Sequence, residues 1–185
     1  MRFAIVSLLF GLALPAAAAC PPAPDHAAAL DELVAQANAA ETEHAGREIG
    51  NRMWELWADA PDEQAQAILD RGMAMRESYN YEGARQEFER LVTYCPDYAE
   101  GYNQRAFIAF LTGRFDAAVP DLERALDLSP GHVAARAGLA LTYMQLGDLA
   151  AARRELEAAL KLNPWLSERH LLAKGAPLAP KGEDI

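Results

Sequence analysis

Three prolines, Pro96, Pro130 and Pro164, recur 34 residues apart in this 185-residue chain. Each closes a stretch of helical apolar periodicity. Proline bars the residue before it from the α region, so each marks a helix stop. A fixed period of this length means stacked copies of one small unit, because a unit so short cannot bury its apolar face alone. With proline counted as position 32, the units are 65–98, 99–132 and 133–166. Position 8 is small in all three (Gly72, Ala106, Ala140), as is position 20 (Ala84, Ala118, Ala152). Position 24 is large (Phe88, Leu122, Leu156), and position 27 is apolar (Leu91, Ala125, Ala159). Position 17 holds Tyr81, Phe115 and Leu149. The turn at position 15 carries Gly113 and Gly147, but Tyr79 in the first unit. Tyr102, Ala106 and Ala109 form one helical stripe of the second unit, and Leu122, Ala125 and Leu126 the stripe on its partner.

These positions and this period resemble the tetratricopeptide repeat (TPR) family over about 100 contiguous residues. The resemblance implies an all-α fold, a right-handed superhelical solenoid of antiparallel helix pairs. Residues 20–64 then read as an N-terminal extension with a degenerate capping helix pair. Leu33, Ala37, Ile49, Met53, Leu56 and Pro61 occupy repeat positions there, but Pro61 to Pro96 is 35 residues, one off period. Trp54 and Trp57 flank that stripe as core or capping residues. At the other end, residues 167–175 read as a short capping helix with Ser167 as its N-cap. Leu171 and Leu172 would cover the last repeat, and 176–185 would be a flexible tail.

Residues 1–19 have the pattern of a secretory signal: Arg2, an apolar run from Phe3 to Leu14, Pro15, then four alanines. The apolar run is short of the roughly 20 residues a membrane span needs. The expected location is periplasmic or secreted. Cys20 follows the alanines directly. A lipid anchor on Cys20 is one reading, against which stands Ala17, where a bacterial lipoprotein signal carries Leu.

A net charge of −10, with no basic stripe, speaks against nucleic acid and anionic lipid as partners. The four histidines lack metal-ligand spacing, and no phosphate loop or nucleophile–base set stands out. Neither catalysis, a metal nor a cofactor is expected. TPR arrays resembling this one bind proteins or peptides on the concave face, lined by the first helix of each repeat. That carry-over places Asn103 and Gln104 as exposed groups for a peptide backbone. Met73, Phe107, Phe110, Leu141 and Met144 would form apolar pockets. For Phe107 and Phe110, packing against the next helix is an equal alternative. The carboxylate clamp of chaperone-binding TPRs is not expected, since Leu69, Met73, Ala134 and Gly138 stand at its positions. The implied function is a non-catalytic protein- or peptide-binding scaffold. The alternative is a structural subunit of a cell-envelope or cytochrome-maturation enzyme complex.

Two further expectations rest on the TPR register. Arg71 and Arg105 at position 7 face Glu87 and Asp121 at position 23, so the first and second repeats should each carry an ion pair between their two helices. Glu155 of the third repeat would have no such partner, because Leu139 holds position 7. Cys20 and Cys95 are an even pair in an oxidising compartment, and the Pro21–Pro24 spacer can reach across one repeat edge, so a disulfide is expected. Two free thiols, with Cys95 as a small buried plug, are the remaining alternative.

Overall fold

The computed structural model describes residues 19–180. The signal segment lies outside the described residues except for Ala19. Every regular element described is helical: α1 (Ala27–Ala39), α2 (Glu43–Trp57), α3 (Glu63–Glu77), α4 (Tyr81–Tyr94), α5 (Ala99–Leu111), α6 (Phe115–Leu128), α7 (Val133–Leu146) and α8 (Leu149–Leu162). A short 3₁₀ helix, Ser167–Leu172, follows.

Local chemistry starts most of these helices. Thr42, Asp62, Asn80, His132 and Asp148 each accept a hydrogen bond from the backbone N–H three residues on, satisfying a donor the helix leaves unpaired. The turns within the units reverse the chain through a left-handed residue. Gly113 has φ 72° and Gly147 φ 84°. Tyr79 takes the same conformation at φ 61°, which costs a non-glycine residue roughly 1–2 kcal/mol. The turn is therefore kept by its place between two packed helices, not by its own residue.

Units one, two and three are the pairs α3/α4, α5/α6 and α7/α8, and they stack through α4 on α5 and α6 on α7. The small residue at position 8 is what lets paired helices close. A Cβ on Gly72 would sit 2.4 Å from Phe88 Cε1, the large residue at position 24 of the same unit. Ala84, Phe88 and Leu91 are fully buried, as are Ala118 and Ala125, and Ala152, Leu156 and Ala159.

The helix pair α1/α2 departs from the expected capping repeat. It does not stack before α3, whose face includes the exposed Ala67, Asp70, Arg71 and Ala74 and offers little apolar surface to cover. Instead Leu33, Ala37, Met53 and Trp57 bury themselves against Val133, Leu162 and Leu166 of the third unit. The pair is a strap. Its base is held at the first unit, where the Tyr98 hydroxyl donates to Trp57 O at 2.8 Å. There too Cys20 is bonded to Cys95 with a Cα–Cα distance of 5.1 Å. Neither cysteine is free. Its tip reaches the third unit. Trp165 Nε1 donates to Ala37 O at 3.0 Å, Asn38 Nδ2 to Lys161 O at 3.1 Å, and Arg169 pairs with Glu43 at 2.9 Å. Between these ends, Trp57 stacks on His132 with ring centroids 4.3 Å apart. Tyr98, His132 and Leu166 all hold position 34, so the strap runs along the edge where the units join.

The C-terminal expectations also change. Ser167 does not cap a helix: it donates its hydroxyl to Glu168, and Leu166 precedes the 3₁₀ turn. The segment after it is not a loose tail as far as Pro180. Leu178 is fully buried with Ala140, Leu156 and Leu171, and the Arg153 guanidinium donates to Leu178 O and Ala179 O. Leu178 covers the apolar face that the last described unit turns away from the stack. Residues 181–185 lie outside the described residues.

Candidate concave binding site

The first helices α3, α5 and α7 line a cleft of about 400 Å³, walled by Phe107, Phe110, Leu122 and Leu141. The strap supplies a further wall, Trp54, which is 38% exposed. Phe107 is 41% exposed, and the Arg76 guanidinium lies 5.3 Å from its ring centroid. An aromatic ring left this open in a concave wall, under a stacked cation, is apolar surface that the fold itself does not cover. Phe110 is half-buried and packs edge-on against Phe115 with centroids 5.3 Å apart. Arg76 is the only cation among the cleft's lining residues. Ala134 and Gly138 line the cleft, whereas Leu69 is buried and Met73 packs into the first unit's core. The lysine, arginine and asparagine of a carboxylate clamp are not at those places.

Asn103 and Gln104 border the cleft but are not free to bind a backbone. They are 8% and 4% exposed, and both bond to Glu100, which is 1% exposed. Asn103 Nδ2 donates to Glu100 Oε2 at 3.0 Å, and Gln104 Nε2 to Oε1 at 2.5 Å. His132 Nε2 lies 2.9 Å from Oε2. His132 Nδ1 accepts from the Ala135 N–H at 3.2 Å, so the ring's proton sits on Nε2 and points at the carboxylate. Gln104 Oε1 in turn accepts from Arg76 Nη1 at 2.5 Å. Three donors thus converge on one buried carboxylate, which satisfies it without solvent. Burial and the Glu100 charge push the neighbouring Tyr98 hydroxyl well above its ordinary pKa. Sequence reasoning placed Glu100 on the concave face and missed its role as the buried acceptor. The available signal was its spacing, i to i+3 and i+4, onto Asn103 and Gln104 on one helix face.

Met73 and Met144 stand outside the cleft, packed against the first unit's core and the C-terminal cluster respectively. Two expected ion pairs are in place: Arg71–Glu87 at 3.2 Å and Arg105–Asp121 at 2.6 Å. Arg105 also reaches Glu89 at 2.8 Å. The hydrogen bonds Arg105 donates to Asp121, reinforced by that carboxylate's charge, hold the guanidinium pKa well above its usual value. Glu155 is not left alone. Arg136, three residues before the vacant position 7, pairs with it at 2.9 Å.

Family models described as tetratricopeptide repeat match residues 69–133 and 109–174, together more than half of the chain. The chain belongs to the tetratricopeptide repeat family. A TPR repeat-containing protein of Rhizobium etli is 24% identical over 135 residues, covering 73% of this chain and 66% of that protein. Human tetratricopeptide repeat protein 36 is 31% identical over 125 residues, covering 64% and 65%. The matched part therefore spans just under two thirds of these relatives' lengths. Among solved structures, the second TPR domain of human RPAP3 in complex with an HSP70 peptide aligns with a TM-score of 0.55 at 25% identity, covering 57% of this chain and 88% of that domain.

Proposed function

We propose that this TPR protein is a non-catalytic scaffold that binds a protein or peptide partner on its concave face, outside the cytoplasm. The observation that carries the reading is the cleft: open aromatic and aliphatic walls from α5 and α7, the Arg76 guanidinium from α3, and Phe107 left 41% exposed. A similar TPR domain is bound to an HSP70 peptide. The buried polar groups beside the cleft bond one another, which fits a recognition surface and not a proton-transfer site. The secretory-signal pattern and the paired cysteines support the location.

The test isolates the disulfide-bonded protein with whatever it holds from the envelope fraction of producing cells. The same isolation is then made with Phe107→Ala and Leu141→Ala together. Partner recovery should fall about tenfold or more, since exposed aromatic anchors dominate such interfaces. An unchanged yield of partner, with the double variant still folded, would remove the concave cleft from the function.

A further inference from the structure

All three tryptophans of the chain line one cavity. It has a volume of about 330 Å³ and lies between the strap and the third unit. Trp54 and Trp57 come from α2 and Trp165 from the segment after α8, with Met53, Val133 and Leu166 completing the walls. Glycine makes the room. At Gly50 an added Cβ would meet only Asn163 Nδ2, at 3.3 Å. The volume is in the range of small-ligand sites, which are apolar with a few fixed polar groups.

Two such groups are present, and both are donors without an acceptor. Trp57 is 8% exposed, and its Nε1 is the buried side-chain nitrogen or oxygen left without a hydrogen-bond partner among the described residues. Asn163 is 4% exposed. Its Oδ1 accepts from the Trp165 N–H at 3.0 Å, which fixes the amide's orientation and leaves Nδ2 with no acceptor among the described residues. A buried unpaired donor is rare because it forfeits its hydration for nothing, so Trp57 Nε1, with the unanswered Asn163 amide nitrogen on the same cavity, calls for an oxygen there. The charge at the rim narrows the choice. Among the cavity's lining residues Glu43 and Arg47 are the charged ones, one of each sign and 3.5 Å apart, so the lining has no net charge for a ligand to answer.

We propose that this cavity binds an uncharged carbonyl group carried on an apolar or aromatic body, the chemistry of an amide such as a peptide unit with a large side chain. The carbonyl oxygen accepts from Trp57 Nε1 and Asn163 Nδ2, and the body lies among the indoles. The cavity shares Trp54, Ala134, Leu166 and Ser167 with the concave cleft. The occupant is therefore a residue of the partner segment that crosses Trp54. That source, but not the cavity's chemistry, rests on the concave-face reading.

The test titrates N-acetyl-phenylalaninamide into the folded, disulfide-bonded protein and follows the indole N–H resonances. Binding should move Trp57 Nε1–H downfield as it gains an acceptor. Toluene, which has no carbonyl, and phenylacetate, which is charged, should bind at least about tenfold more weakly, the worth of one hydrogen bond. Asn163→Asp keeps the acceptor for Trp165 N–H and removes the donor, so it should weaken the amide by about the same factor or more in protein that is still folded. An unmoved Trp57 resonance, or toluene binding as well as the amide, overturns the carbonyl site. A blocked tetrapeptide with a central phenylalanine separates the sources. It should bind more tightly than the single-residue amide, and lose that advantage in Phe107→Ala. If it gains nothing, the occupant is a free small amide, and the link to the partner segment fails while the cavity stands.

Discussion

Glu100→Gln is a change of one atom that the polar network cannot absorb. Glu100 Oε2 accepts from Asn103 and His132, and Oε1 accepts from Gln104. A glutamine must turn its amide nitrogen toward one of these two sides. On the Oε2 side it would face two donors, one of them fixed, because His132 Nδ1 is committed to the Ala135 N–H. On the Oε1 side it faces Gln104 Nε2. Gln104 could flip its own amide to answer, but its nitrogen would then face Arg76 Nη1, and a guanidinium has no acceptor. The conflict moves along the chain and does not disappear. One hydrogen bond to a charged group is lost and two donors meet, a cost of about 2–3 kcal/mol. For a domain of this size that lowers the thermal midpoint by about 5–10 °C. Thermal and urea unfolding of wild type and variant measure it. Arg76→Met is the decisive partner, since removing the guanidinium frees Gln104 to flip. In that background Glu100→Gln should cost less than half as much. A Glu100→Gln midpoint within error of wild type, or equal costs in both backgrounds, would refute the network argument.

Two further outcomes test the strap. Replacing Cys20 and Cys95 by serine opens a loop with a sequence separation of 75 and should cost about 4 kcal/mol by loop entropy. Intact mass and alkylation under denaturing, non-reducing conditions check the bridge itself; two alkylatable thiols in the wild-type protein would contradict it. Gly46→Ala gains about 1 kcal/mol of helix propensity. Its Cβ, however, would lie 2.1 Å from Trp165 Cγ, so the indole must leave and release Ala37 O. The net should be a loss of about 1–3 kcal/mol by urea unfolding, against a near-neutral Gly50→Ala. A stabilised Gly46→Ala would show that the strap tip does not pack on Trp165.

The stacked units were legible because their signals are local and repeated. Small residues at positions 8 and 20, a large one at 24 and a proline at 32 each do one job within 34 residues. The Arg71–Glu87 and Arg105–Asp121 pairs followed from the same register, since both partners sit inside one unit. What was not legible depends on contacts between units. Asn103 and Gln104 look like solvent-facing amides by position alone. Their burial comes from Glu100, from His132 at the far end of the same unit and, for Gln104, from Arg76 of the preceding unit. The strap was misplaced for a related reason. Its apolar stripe fits a repeat, but a stripe does not say which surface it will cover. The surplus residue between Pro61 and Pro96 was the one local sign that the register breaks there. Leu178 follows the same logic: an apolar residue in a Pro/Gly-rich tail found the uncovered end face of the last unit.

The strap changes how a stack of this kind behaves. A solenoid is held only by neighbour contacts, so its curvature can flex and its ends can open independently. Here the first and third units are joined a second time, through α1 and α2, with the disulfide at one end and Trp165, Lys161 and Glu43 contacts at the other. Opening the superhelix must then break the strap's apolar contacts with Val133, Leu162 and Leu166 together with those hydrogen bonds. The spacing between α3, α5 and α7 is fixed before any partner arrives. On the concave-face reading proposed above, binding to a preformed cleft costs little ordering of the receptor, and affinity rests on the fit to Phe107, Leu141 and Trp54. On the same reading the closure makes the cleft selective: a segment too bulky to pass Trp54 cannot widen it by bending the stack.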